Sequence, residues 1–236
     1  MEGGQVFASE LNLDSPRPSP YFELHLRRDR WRLGTSGFWF SQADRIAGVV
    51  EATQLGTLSL VPGDRARSSL DFWSFEAVAA YRFLDRAWEE PGVSARAEPS
   101  EGGAAPLALG LDALAGVRVY SADLTVDRLA GAGTLAGSVS EEGLWAEPIV
   151  GIKADAEIYK QFTVDFQTTF GIQPLTDHDS WSWDVQVDGT WRPWPNVGVQ
   201  IGYRQLIYRL NDGTGNDQFL FRGSAAGLFA GVEIRF

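Results

Sequence analysis

A chain of 236 residues with a formal net charge of -11 and a pI near 4.6 lacks the basic footprint that nucleic-acid phosphates require, so no nucleic-acid partner is expected. Without Cys, and with His25 and His178 as its two histidines, it offers no disulfide or thiolate site, and neither a metal nor a cofactor is expected. No apolar run approaches the roughly 18 residues of a membrane-spanning helix, and the opening MEGGQVFASE has neither the basic nor the apolar region of a signal peptide. If the chain is exported, it is expected to be the mature form behind an initiator Met.

Taken in order, the segments alternate with a period of two, as side chains do on the two faces of an extended strand. Residues 5–13, QVFASELNL, alternate weakly. Within 20–28, Glu23, His25 and Arg27 share one parity, and within 31–42 Arg32 opposes Trp31 and Trp39. In 68–84, Trp73, Phe75, Ala77, Ala79, Tyr81 and Phe83 oppose Glu76 and Arg82. In 107–124, Leu109, Leu111, Val117 and Val119 oppose Asp112 and Arg118. In 143–159, Leu144, Val150, Ile152 and Ile158 oppose Glu147, Lys153, Asp155 and Glu157, with Pro148 expected to mark a bulge near a strand end. In 162–175, Phe162, Val164, Phe166, Phe170 and Ile172 oppose Asp165 and Gln167. The stretch 180–193 sets Trp181, Trp183, Val185, Val187 and Trp191 against Asp184, Asp188 and Arg192. Residues 196–210 set Val197, Val199, Ile201 and Tyr203 against Gln200 and Arg204, and 219–236 end with Leu228, Val232, Ile234 and Phe236 against Glu233 and Arg235. None of these segments repeats at 3.6, so the pattern predicts an all-β chain of about ten strands in a single domain spanning 1–236.

Two architectures produce such alternation. A soluble barrel or sandwich buries the apolar face, whereas a membrane barrel turns it to lipid and keeps the polar face in its lumen. Three features favour the second. Trp31 and Trp39, Trp73 and Tyr81, and Trp183 and Trp191 are each eight residues apart on the apolar parity. At about 3.3 Å per residue and a tilt of about 40°, that spacing spans roughly 20 Å, close to an apolar band between two aromatic girdles. Acids and bases are nearly balanced on the polar parity, where Glu76, Asp112, Glu147, Asp155, Asp165, Asp184, Asp188 and Glu233 accompany Arg82, Arg118, Lys153, Arg192, Arg204 and Arg235. They are expected to form a lumenal charge network. Finally, the tight connections at 28–30, 160–161 and 194–195 all fall on one end of a ten-stranded meander, and the longer 43–67, 125–142 and 211–218 on the other. Trp31, Trp39, Trp73, Tyr81, Trp181, Trp183, Trp191 and Tyr203 are then the expected lipid-facing girdle.

The closing GLFAGVEIRF, with Val232, Ile234 and terminal Phe236 on one parity, resembles the C-terminal signature of Gram-negative outer-membrane β-barrel proteins. The likeness implies a closed antiparallel transmembrane barrel in the bacterial outer membrane, with short periplasmic turns, longer extracellular loops and insertion by the barrel assembly machinery, which reads that terminal signal. In size it is similar to the small barrels, between the eight-stranded OmpA-like and OmpX-like proteins and the ten-stranded omptins and adhesins. The long, acidic connection 84–106 on the periplasmic side departs from the pattern and is expected to be disordered or to dock an envelope partner, a role open to the extracellular loops as well.

Chemistry is sparse. Asp177, His178 and Asp179 in TDHD echo the rim residues of omptin-type proteases, but no second acidic pair matches, and a solvated turn accounts for them. NDGTGNDQF at 211–219 resembles one turn of a calcium-binding repeat, whose sites need stacked neighbours, so a hairpin turn is expected instead. A ten-stranded barrel is largely filled by its own side chains. The sequence therefore predicts a non-enzymatic anchor or structural subunit embedded in the lipid bilayer, with a narrow channel gated by lumenal charge pairs as the alternative.

Overall fold

The computed structural model describes residues 18–49, 53–55, 58–88, 107–129, 136–158, 161–174, 179–194, 196–212 and 219–234. The described residues are all-β: β1 (Tyr21–Arg28), β2 (Trp31–Gly48), β3 (Thr53–Leu55), β4 (Leu58–Leu60), β5 (Arg65–Trp88), β6 (Leu107–Leu129), β7 (Gly137–Ile158), β8 (Phe162–Pro174), β9 (Asp179–Trp194), β10 (Val197–Asp212) and β11 (Phe219–Ile234). Nine of them form one antiparallel sheet in the order β1-β2-β5-β6-β7-β8-β9-β10-β11, while β3 and β4 make a separate hairpin. The sheet curls into an open half-barrel. No backbone pairing joins β1 to β11 among the described residues, yet the Tyr21 and Phe229 rings, one from each edge strand, lie 5.2 Å apart.

The alternation fixes which face is concave. Glu76, Arg82, Asp112, Arg118, Glu147, Asp184 and Asp188 are buried inside the curl, whereas Val150, Ile201, Val232 and Leu228 are exposed on its convex side, Leu228 to 85%. Register follows the aromatics: Trp31 lies opposite Tyr81, and Trp39 opposite Trp73. The first pair meets edge to face at 5.2 Å, near the end of the sheet that holds the β1–β2 turn, here called the lower end. There too, Phe162 stacks on Trp191 at 6.5 Å.

Strand lengths are unequal. β5, β6 and β7 have 24, 23 and 22 residues, against 13 in β8. The long wall rises above the short one, and residues expected to be loops at 43–67 and 125–142 extend β2, β5, β6 and β7 or form the β3–β4 hairpin. Pro148 corrects an expectation. It sits in mid-strand opposite Val117 with no register shift against β6, and the β7–β8 ladder runs only from Ile149 to Ile158. Proline, lacking an N–H, thus marks the level at which β7 loses its second neighbour rather than a bulge. The expected strand 5–13, most of the 84–106 connection, and residues 175–178, 213–218, Arg235 and Phe236 lie outside the described residues.

Candidate functional site

The inner face is the chemically rich part of the molecule, and it is layered. In the lower layer, Arg82 on β5 donates from Nε to Asp112 Oδ1 at 2.7 Å and reaches Asp155, two strands away on β7. Gly110 makes that reach possible, since a Cβ there would collide with the Arg82 guanidinium. Arg32 from β2 lies 3.1 Å from Asp112 and 3.2 Å from Asp155, so two cations share two carboxylates across four strands. Lys153 stands 3.3 Å from Asp165, and Asp188 accepts from Gln186 at 3.0 Å and Gln200 at 2.9 Å. Nearer the lower rim, Arg192 pairs with Glu233 at 2.9 Å and donates to Thr163 at 2.6 Å.

Above it lies a tighter cluster around Arg118, which is fully buried. Its guanidinium donates to Glu76 at 2.9 Å, to Ser182 at 2.8 Å and to Thr169, and sits 3.4 Å from Asp184. Glu147 accepts from Tyr120, Ser182 and Ser180, the last at 3.2 Å, by leaning from β7 over Gly171 on β8 to reach β9. Arg204 closes the layer from β10, donating to Asp184 at 2.6 Å while its Cζ lies 5.6 Å from the Tyr21 ring and 5.5 Å from that of Phe38. Each buried charge has an opposite charge or a polar donor in reach, which is the condition for retaining ions in a low-dielectric interior.

Higher still the inner face turns apolar. Phe72 stacks on Tyr208 at 5.0 Å and on Phe40 at 5.3 Å, and Leu70, Tyr120, Leu124, Val126, Leu206 and Leu210 pack around them. Leu58 and Leu60 of the β3–β4 hairpin join this cluster, and Arg128 ties the hairpin down by donating to the Ser59 carbonyl. Trp145 spans the space from β7, donating its indole N–H to the Asn211 carbonyl at 3.2 Å.

At the same level the outer face changes in the opposite sense. Below it the convex side carries Trp73, Phe75, Val117, Leu144 and Val150, all exposed. Above it, on the same parity of the same strands, stand Arg67 and Asp71 of β5, Asp123 and Thr125 of β6, and Ser138, Ser140 and Glu142 of β7. The sheet thus inverts its polarity, from apolar outside with charge inside to polar outside with an apolar interior.

Of the residues expected in the charge network, all but Arg235 are described, and they fall on the inner face; Glu76, Arg118, Glu147, Asp184 and Arg204 form one cluster, and Arg82, Asp112 and Asp155 another. Trp31, Trp39, Trp73, Tyr81, Trp183, Trp191 and Tyr203 are exposed on the convex side, with Trp181 half-buried on the same parity. Val232 and Ile234 are likewise exposed on β11. Sequence reasoning did not bring Tyr120, Thr169 or Ser182 into the network. They share the parity of the charged residues, and that was the available signal. Of the TDHD motif, Asp179 is described, accepting from Asn211 at the top of β9. Among the described residues no three His, Asp or Glu side chains converge as metal ligands do. The chain matches no protein-family model, no curated protein and no solved structure.

Proposed function

We propose that this chain is a membrane-spanning β-barrel of the bacterial outer membrane whose solid interior makes it an anchor or structural subunit rather than a pore or an enzyme. The polarity inversion is the observation that supports the reading. In water throughout, no force would place Leu144, Val150, Ile152, Val164 and Ile201 outside and Arg118 inside on one level, then reverse the arrangement a few residues higher. A change of solvent along the strands accounts for both halves: hydrocarbon around the lower band, water around the upper one.

Hydrocarbon also demands closure, because each unsatisfied backbone group on an open edge costs several kcal/mol there. Nine antiparallel strands leave β1 and β11 running in the same direction, so one further strand is needed between them. The alternating segment 5–13, expected as a strand from its sequence and lying outside the described residues, is our candidate for that tenth strand. Detergent dependence and conductance test the reading together. The chain is expected to stay with membranes until detergent is added, and planar bilayers with verified insertion are expected to remain sealed. A soluble monomer without detergent rejects the barrel; discrete conductance steps reject the solid interior.

A further inference from the structure

At the lower end, two backbone irregularities coincide. Asp29, in the two-residue β1–β2 turn, has φ 54, the left-handed region that favours glycine, and no other described non-glycine residue has positive φ. Directly beside it the β5–β6 ladder slips between Arg82 and Leu84, so that Phe83 is an extra, bulged residue exposed to 55%. The Arg82 amide, donating to the Arg30 carbonyl at 2.8 Å, locks the turn to the bulge. Bulges re-aim side chains, and here Arg82 points into the interior while Phe83 points out. Between turn and bulge lies a cleft of about 240 Å³ lined by Asp29, Arg30, Arg82, Phe83, Asp85 and Arg86.

Arg82 is turned inward to Asp112 and Asp155, and the exposed charges around the cleft are Arg27, Arg28, Arg30 and Arg86 against Asp29 and Asp85, a local excess of arginine in an acidic chain. RRDRWR at 27–32 holds four arginines and one acid, in a protein with 31 acidic and 20 basic residues. Arg27, Arg28, Arg30 and Arg86 are exposed, and the convex surface immediately above them is apolar, with Leu26, Leu33, Trp31 and Phe83 exposed. Arginine at the mouth of a cleft, with a ledge of aliphatic and aromatic side chains leading away from it, complements a phosphate carrying acyl chains, in charge and in polarity. Resting on the membrane reading above, we infer that this cleft binds the headgroup of an anionic phospholipid of the phosphatidylglycerol class. Arg30 and Arg86 hold the phosphate, and the acyl chains lie along Phe83, Leu33 and Trp31. Asp29 and Asp85 limit the affinity, so the site discriminates by charge without locking the lipid in place.

The test uses the full chain in detergent, with native mass spectrometry of bound dioctanoyl phosphatidylglycerol against dioctanoyl phosphatidylcholine. At least fivefold preference for the anionic lipid is expected. Arg30→Gln with Arg86→Gln is expected to bring the two lipids within twofold, and Arg65→Gln with Arg67→Gln, at the opposite end, to leave the preference intact. Asp85→Asn is expected to strengthen binding, which a merely misfolded variant would not do. Glycerophosphate without acyl chains is expected not to bind at the same concentration; equal binding would assign the cleft to free phosphate and overturn the proposal. Undiminished preference in the double arginine variant, or none in the unaltered chain, overturns it as well. Insertion into vesicles is scored separately: an inserted protein without preference rejects only the headgroup site, whereas failure to insert rejects the barrel and the site with it.

Discussion

The lower band and the upper extension are built from the same strands, and they solve opposite problems. In the lower band the interior keeps ions, and each is held by a partner: Arg118 among Glu76, Asp184 and Ser182, Arg82 between Asp112 and Asp155. In the extension the interior is a conventional core of Phe72, Tyr120, Leu124 and Tyr208 beneath the β3–β4 hairpin, with its charges outside. On the membrane reading proposed above, the contrast means that the solvent beyond the outer face, and not strand geometry, sets what the inner face contains. Where the outside takes the apolar residues, the inside is left to hold the polar ones, and they must satisfy one another.

Substitutions separate the two regions, and all are to be read as changes in unfolding free energy from reversible urea titration in phospholipid vesicles. Arg118→Leu is expected to have the largest effect, a loss of about 3–5 kcal/mol, since it takes from Glu76 and Glu147 their nearest buried cation and leaves Asp184 with Arg204 alone. A loss under about 1 kcal/mol would mean that water reaches the cluster. Next, Val150→Arg, on the outer face of the lower band, is expected to cost about 2–4 kcal/mol if hydrocarbon surrounds it. No measurable cost would place that face in water and remove the distinction between the regions. Gly171→Val is expected to cost about 1–3 kcal/mol, because the added atoms collide with Glu147 and Ile149; the double variant with Glu147→Ala is expected to be less than additive. Smallest of all, Thr125→Arg, on the outer face of the extension, is expected to stay within about 0.5 kcal/mol of the unaltered protein. A penalty matching that of Val150→Arg would extend the hydrocarbon band upward.

Much of this was legible in the sequence. The parity of Trp183, Val185 and Val187 against Asp184 and Asp188 gave the two faces; the eight-residue spacing of Trp31 with Trp39 and of Trp73 with Tyr81 carries only a girdle-to-girdle distance, and their cross-strand pairing emerges with the register. The extension was missed because the apolar parity reverses within single strands. In β6 it passes from Val117 and Val119 to Tyr120, Ala122, Leu124 and Val126; in β10 from Ile201 and Tyr203 to Leu206, Tyr208 and Leu210. A reversal of that kind looks like the end of a strand when one segment is read alone. Read across β2, β5, β6 and β7 together, it recurs at matching register and marks a boundary. The cross-strand reach of Arg82 and Glu147 was not legible at all, since it depends on which glycine lies on the adjacent strand, and register is a tertiary property.

Those glycines carry a consequence for how such a sequence can change. Gly171 and Glu147 are distant in the chain but share one small volume, as do Gly110 and Arg82. Neither partner of a pair can drift independently: a methyl gained at 171 requires a shorter residue at 147, and a shorter residue at 147 strands the Ser180 and Ser182 hydroxyls it once served. Descendants of this protein should therefore exchange these positions as linked doublets, and a lineage that swapped one member alone would be visible as a destabilised intermediate.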